Sequence, residues 1–260
     1  MTATVVSVPA VRRGPAHWWR SYLLMTRWEV GGMRLLLPMI VFVQVITGAG
    51  FVLGIGLFFD QIPPMAALFV STGVVVITLA TVGLVLGPQL IAAEKAQQVY
   101  DFVWSLPVPR STAAAAWISV NTIIAVPGMV MALLVATWRY DLSITISPAI
   151  IPGAMLTLYT ATMIGYAIAH IIKQPVVINM ITQVTIFAMT GFSPVNFPKE
   201  QLPAWLATLN EGLPLLHMAT VMRAGLTEGI ATDIGRSYLV LGLWAITATA
   251  LTGWVLRRRT

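Results

Sequence analysis

Six long runs almost free of charge divide this chain, at about residues 35–59, 65–92, 113–137, 147–172, 175–192 and 237–256. A helix that crosses a bilayer needs about 20 mostly apolar residues, and all six approach or exceed that length. Hydrocarbon offers no water to an exposed backbone, so each run must satisfy its own hydrogen bonds, and long uninterrupted runs do so as helices rather than as alternating barrel strands. The rest of the composition agrees: 58% of the 260 residues are hydrophobic and only 9% charged, too few charges to cover a water-facing domain. The chain is therefore expected to be an all-α membrane protein with six spans. Asp60-Gln61-Ile62-Pro63-Pro64, Trp138-Arg139-Tyr140-Asp141 and Lys173-Gln174-Pro175 punctuate the runs. The first run follows a polar and basic arm of 34 residues. That is the wrong setting for a cleaved signal peptide, and the run reads as a permanent span.

Orientation follows from the basic residues. With the N-terminus in the cytoplasm, 11 of the 15 Lys and Arg residues lie inside: Arg12, Arg13, Arg20, Arg27, Arg34, Lys95, Arg110, Lys173 and Arg257 to Arg259. Only Arg139, Lys199, Arg223 and Arg236 lie outside. Counting acids, the inside carries +8 and the outside −2. Both termini are expected in the cytoplasm. The positive charge is then accounted for by topology and the anionic inner leaflet, with no call for nucleic acid.

Three segments are not spans. In the arm, Arg13, Arg20, Arg27 and Arg34 recur every seven residues, with Trp18, Tyr22, Met25 and Met33 on the opposite side. This spacing predicts an amphipathic helix in the membrane interface, with Glu29 the exception on its apolar side. A simple anchor and a brace for a cytoplasmic partner explain it equally well. Between the second and third spans, Val99, Phe102, Val103 and Leu106 follow helical spacing, and Pro107 and Pro109 stop the helix. A helix over 94–106 is more than a connector needs, and it reads as a docking helix that receives force from the cytoplasm, with a loop resting on lipid as the plainer alternative. Between the fifth and sixth spans, 193–226 holds short apolar pieces broken by Gly and Pro, predicted to dip into the membrane and return or to lie on its outer face. The chain thus divides into a cytoplasmic arm, 1–34, and one six-helix domain, 35–260.

These segments, in this order on six spans, resemble the permease subunit of type-2 ABC exporters, in particular bacterial multidrug and antibiotic exporter permeases. Residues 94–110, Glu94-Lys95-Ala96-Gln97-Gln98 through Leu106-Pro107-Val108-Pro109-Arg110, are similar to the family's coupling helix. Gly191-Phe192-Ser193-Pro194 through Trp205-Leu206 to Arg223-Ala224 is similar to its re-entrant segment. The family's Glu-Arg-Glu pattern is replaced by Glu94-Lys95-Ala96-Gln97-Gln98, and its Asn-Pro by Leu213-Pro214. The resemblance implies two ATP-binding subunits docked on Glu94, Lys95, Gln98, Asp101, Phe102 and Arg110. It also implies a second permease subunit, identical or homologous, ATP and magnesium on the partner chains, and none on this one. Gly83-Leu84-Val85-Leu86-Gly87-Pro88 has glycine spacing but lacks the Lys of a phosphate-binding loop.

In the fifth span Asn179, Gln183, Phe187 and Thr190 share one helical face. An amide turned to hydrocarbon without a partner costs several kcal/mol, so this face meets a helix or water. The family's path and dimer contact lie on spans one, two and five, which points to Gln44, Asn179, Gln183, Phe187 and Thr190, with glue inside one subunit as the alternative. Gly50 and Gly54, and Gly83 and Gly87, have the spacing for close approach. No Asp, Glu, Lys or Arg lies in mid-span and the chain has no Cys, which disfavours ion-coupled carriers and thiolate sites. There is no Gly-x-Ser-x-Gly and no His/Glu metal motif, so an intramembrane enzyme is not expected. The expected function is export of lipophilic or amphipathic cargo across the bacterial plasma membrane. A carrier or channel working without an ATPase is the competing class, and a lipid or lipid-linked glycan exporter is the variant within the family.

Overall fold

The computed structural model describes residues 14–58, 63–106, 108–142 and 144–258. Arg12 and Arg13 of the arm, the break at 60–62, Pro107 and Arg259 lie outside the described residues. Everything regular among those described is helical. The elements are α1 (Pro15–Gly32), α2 (Leu37–Phe58), α3 (Pro64–Thr81), α4 (Gly87–Ala96), α5 (Val99–Ser105), α6 (Arg110–Tyr140), α7 (Ile150–Ile171), α8 (Pro175–Phe187), α9 (Ala204–Gly212), α10 (Pro214–Leu226) and α11 (Ile234–Arg258). Six stretches are long and apolar enough to cross a membrane: α2; α3 with α4; α6; α7; α8 with the turn that follows it; and α11.

Span two sits at the centre. Most of it is buried, while α2 and α8 bury little of their surface. Its two helices join through a wide turn, Val82–Leu86, in which the amide of Gly87 reaches back to Val82. Pro88 follows at once. Proline has no N–H to donate and its ring clashes with the preceding turn, and a locally widened helix is how a chain accommodates such an insertion. The widened turn lies where span two crosses span four. There a Cβ on Gly83 would stand 2.5 Å from the Thr162 nitrogen and 2.6 Å from the Ala161 carbonyl carbon, so only glycine fits without displacement. Gly87, by contrast, faces the side chains of Asn121 and Trp117.

Spans one, two and three meet at a second junction. Gly48 faces the carbonyl of Gly128, and Gly128 in turn faces Thr78 and the backbone of Gln44. The Gln44 amide donates to the carbonyl of Thr78 at 3.3 Å and is 5% exposed. Gln44 therefore ties two helices of the same chain together, the glue within one subunit that the sequence left open beside a path or dimer contact. The predicted small-residue pair in span one behaves differently: nothing lies within 4 Å of a Cβ built on Gly50 or Gly54.

Two clasps join the ends of spans. At the end of α6, Arg139 donates to the carbonyl of Gly56 at 3.1 Å and Tyr140 to that of Val52 at 2.8 Å. Asp141, in a left-handed conformation (φ 48°), then stops the helix. At the opposite end of the bundle, where α1 lies and α11 finishes, Arg110 donates to the carbonyl of Leu256.

The stretch between spans five and six packs into the bundle. One face of α10, including Met218, Val221, Met222 and Leu226, is buried. Asn210 donates to the carbonyl of Phe192, and Trp244 to that of Gly212. The loop through Val195 runs across span two at Gly73, where a Cβ would stand 2.5 Å from the Val195 oxygen.

Candidate functional site

The helix predicted over 94–106 is two helices. Glu94, Lys95 and Ala96 form the last turn of α4, within span two, and α5 begins at Val99. Gln98 takes a left-handed conformation (φ 61°), which ends one helix and redirects the next. Tyr100 is buried, with its ring 5.6 Å from that of His170 on α7. Val99 and Phe102 are exposed, Phe102 at 53%. The reason is geometric: a seven-residue helix has too few turns to bury a whole stripe, and one large ring fixes its rotation.

Lys95 is part of the frame. Its ammonium donates to the carbonyls of Ala169 and Ile172, the latter at 2.6 Å, and lies 4.9 Å from the Tyr100 ring centroid. The last carbonyls of a helix lack intrahelical partners and carry partial negative charge, so a cation there is favourable. The end of span two, α5 and the end of span four are thereby held as one piece.

The arm helix α1 packs on α6. Trp18 donates to Ser111 at 2.9 Å, Tyr22 and Ser119 share a hydrogen bond of 2.7 Å, and Met25 is buried. The side that was expected to face lipid thus meets protein, while Arg20 and Arg27 are exposed and Arg34 lies past the helix end. Trp19, Leu24 and Trp28 are exposed between them. Trp28 reaches α5, its ring 5.9 Å from that of Phe102. Glu29 is half-buried beside Glu94, and its carboxyl is pushed up to about 8 by burial and then by the neighbouring Glu94 carboxylate.

At this end, then, Asp101, Phe102 and Val99 of α5 project outward beside Trp28 and Arg27 of α1. An exposed apolar patch with charges at its edge marks an interaction surface. Lys95 and Arg110 stand behind it, tied into the bundle by hydrogen bonds, with Glu94 half-buried beside them.

The second candidate face is on α8, which packs on α4 and is tied to it by Gln89 donating to Thr182 at 3.0 Å. Asn179, Gln183 and Phe187 are exposed along one side, Phe187 at 69%. Thr190 is half-buried and donates to the carbonyl of Ile186. The exposed amides have no partner within the chain among the described residues.

Sequence reasoning gave Arg223 no role of its own, reading it as one of four charges on the far side and as the end of the re-entrant segment. It is 6% exposed, on a helix whose other buried residues are mostly Leu, Met, Ala and Val. A lone cation among apolar residues was the available signal. His170 is buried, its Nδ1 2.7 Å from the Tyr166 carbonyl oxygen. Among the described residues no group of three His, Cys, Asp or Glu is arranged to hold a metal.

The family model described as ABC-2 type transporter matches residues 16–227, from the first turn of α1 to just past the end of α10. No curated protein matches the chain.

Proposed function

The chain belongs to the ABC-2 type transporter family, and on that premise we propose that it is the membrane-spanning subunit of an ATP-driven exporter. It is a multi-pass membrane protein and a transport component. In the reading offered here, both termini face the cytoplasm of a bacterium, and two ATP-binding subunits carry the ATP and magnesium and dock on the exposed side of α5. A second permease subunit covers the polar side of α8 and the open side of α2. The cargo is lipophilic or amphipathic, of the kind to which drugs and antibiotics belong, and it crosses by alternating access between the paired subunits.

The observation that supports this reading best is the mounting of α5. Its outer side is free, while its inner side is fixed through Tyr100 to His170 on α7, and α4 just before it is fixed through Lys95 to the end of span four. A helix held this way passes a push from outside into two spans. For its part, a path lined by Asn179 and Gln183 among apolar neighbours suits cargo that is mainly apolar with a few hydrogen-bonding groups.

The test is co-purification and transport with the cognate ATP-binding subunits. Asp101→Lys combined with Phe102→Ala leaves insertion and folding unchanged, since both residues are exposed, and it lowers capture of those subunits and uncouples ATP hydrolysis from export. Normal coupled export by the double variant would sink the proposal. So would transport down an ion gradient by the purified chain alone.

A further inference from the structure

Arg223 is the one deeply buried charge of the described residues that has neither an acidic partner nor an evident task. Its Nε donates to Thr72 Oγ1 at 3.3 Å, one terminal nitrogen donates to the carbonyl of Val195, and the guanidinium lies 4.3 Å from the centroid of Phe69. No carboxylate pairs with it among the described residues. A guanidinium carries five N–H groups, and these contacts use only two of its nitrogens. A buried charge without a counter-charge is costly, and burial lowers the Arg223 pKa to about 10, still well on the charged side of neutrality.

Arg223 lines a cavity of about 210 Å³ at the end of the bundle opposite the termini. His217 and Thr220 stand beside it on α10, with Phe69 across and Lys199 and Arg236 nearer the mouth. The one acid with partners in that wall, Glu211, is shared: Lys199 approaches one oxygen at 3.4 Å and Arg236 the other at 3.3 Å. Glu200 and Asp233, the remaining carboxylates that line it, are on exposed residues at the rim. His217 is already committed. One ring nitrogen lies 2.9 Å from the Glu211 carbonyl and must donate to it, and the other lies 3.1 Å from Ser237 Oγ. The inner wall therefore presents Arg223 uncompensated, with two further cations holding a single carboxylate between them.

We propose that this cavity binds one oxyanion, a phosphate or carboxylate group, against the Arg223 guanidinium. Charge-assisted hydrogen bonds to guanidinium are the strong ones and select planar or tetrahedral oxyanions. The group has two possible carriers, a lipid headgroup or a soluble anion. The site goes beyond the transport reading above and does not depend on it, because it involves neither α5 nor any ATP-binding subunit.

The test uses the full chain in nanodiscs and thermal unfolding followed by tryptophan fluorescence. In phosphatidylcholine nanodiscs, inorganic phosphate is titrated against chloride at equal ionic strength, and a parallel series replaces part of the phosphatidylcholine with phosphatidylglycerol. Saturable stabilisation by phosphate supports a free oxyanion, and stabilisation confined to phosphatidylglycerol supports a headgroup. Arg223→Gln is expected to weaken either response by at least about tenfold, the worth of one charge-assisted hydrogen bond. Should that variant fail to fold, Lys199→Gln with Arg236→Gln, on exposed side chains, decides the matter by weakening the response several-fold. No response of the unaltered chain to phosphate or phosphatidylglycerol overturns the proposal and leaves Arg223 a brace between α10, α3 and the Val195 loop. A response that survives Arg223→Gln, or that the double variant leaves unchanged where Arg223→Gln does not fold, overturns it too.

Discussion

Gly83 and Gly165 lie backbone against backbone where span two crosses span four: a Cβ on either would run into the other helix, at 2.5 Å from the Thr162 nitrogen in the case of Gly83 and 2.9 Å from Pro88 Cγ in that of Gly165. Gly83→Ala is expected to destabilise the chain by about 1–3 kcal/mol, the usual cost of overpacking, because backbone must shift to admit the methyl. Gly50→Ala and Gly54→Ala, where a Cβ has open space, leave the stability of the single chain unchanged. Thermal unfolding in detergent compares the three.

Replacing Lys95 with Met keeps the length of the side chain and removes its hydrogen bonds to Ala169 and Ile172. The expected loss is about 1.5–3 kcal/mol, typical of a hydrogen bond to a charged group. The loss is largest in the end of span four, where faster amide exchange of the last turn of α7 reports it. Unchanged protection there would show that the terminal carbonyls find other donors.

Glu29 gives the chain a stability that falls as pH rises. The unfolded carboxyl ionises near its ordinary 4.5, whereas the folded one holds its proton to about 8. Between those values the unfolded state binds fewer protons than the folded one, so stability declines through that window and levels off above it. Glu29→Gln removes this contribution to the decline. The difference in unfolding midpoint between the two proteins, followed from pH 4 to 9, checks the sign, and a difference independent of pH would refute it. Glu211 works in the opposite sense. Its carboxylate is held below the ordinary range by hydrogen bonding to Lys199 and the charges of Lys199 and Arg236, so its contribution is lost as pH falls, at the other end of the molecule.

Asn179→Leu with Gln183→Leu is expected to leave the single chain as stable as before, within about 0.5 kcal/mol, since both side chains are exposed. If the polar side of α8 faces a path or a second subunit, the same pair alters cargo export or subunit pairing. Gln44→Leu shows the reverse pattern: a loss of about 0.6 kcal/mol, the average for hydrogen bonds between membrane helices, and at most about 1.7 kcal/mol, with no direct effect on cargo.

The spans were legible because hydrocarbon imposes length and apolarity on every residue of a crossing helix, and the observed boundaries fall within a few residues of the runs for most ends. The exceptions show what periodicity omits. Nothing in Ala96-Gln97-Gln98-Val99 marks a break, since neither Gly nor Pro is present, and the left-handed turn at Gln98 exists because Tyr100 and Lys95 are both drawn to α7. Lys95 was expected on the docking surface, and spacing could not show its tie to the frame, because the carbonyls it meets belong to a helix 74 residues away in sequence. Arg223 was placed on the correct end of the bundle by counting charges, but counting could not tell a surface cation from one enclosed by α3 and α10. In span five the exposed amides kept the common face their spacing gave them, because α8 is a regular helix at the margin of the bundle. Gln44 has the same side-chain chemistry and the opposite surroundings, and only the neighbouring helices separate the two.

The attachment of Lys95 to the end of α7 has a mechanical corollary. Any tilt imposed through α5 cannot move span two without dragging span four along, so the pair behaves as a yoke, stiffened where its two glycines touch. Span five hangs from that yoke by the Gln89–Thr182 bond and by packing that leaves most of its surface uncovered. Of the six crossings it is the least buried, and it carries Asn179 and Gln183 on its exposed side.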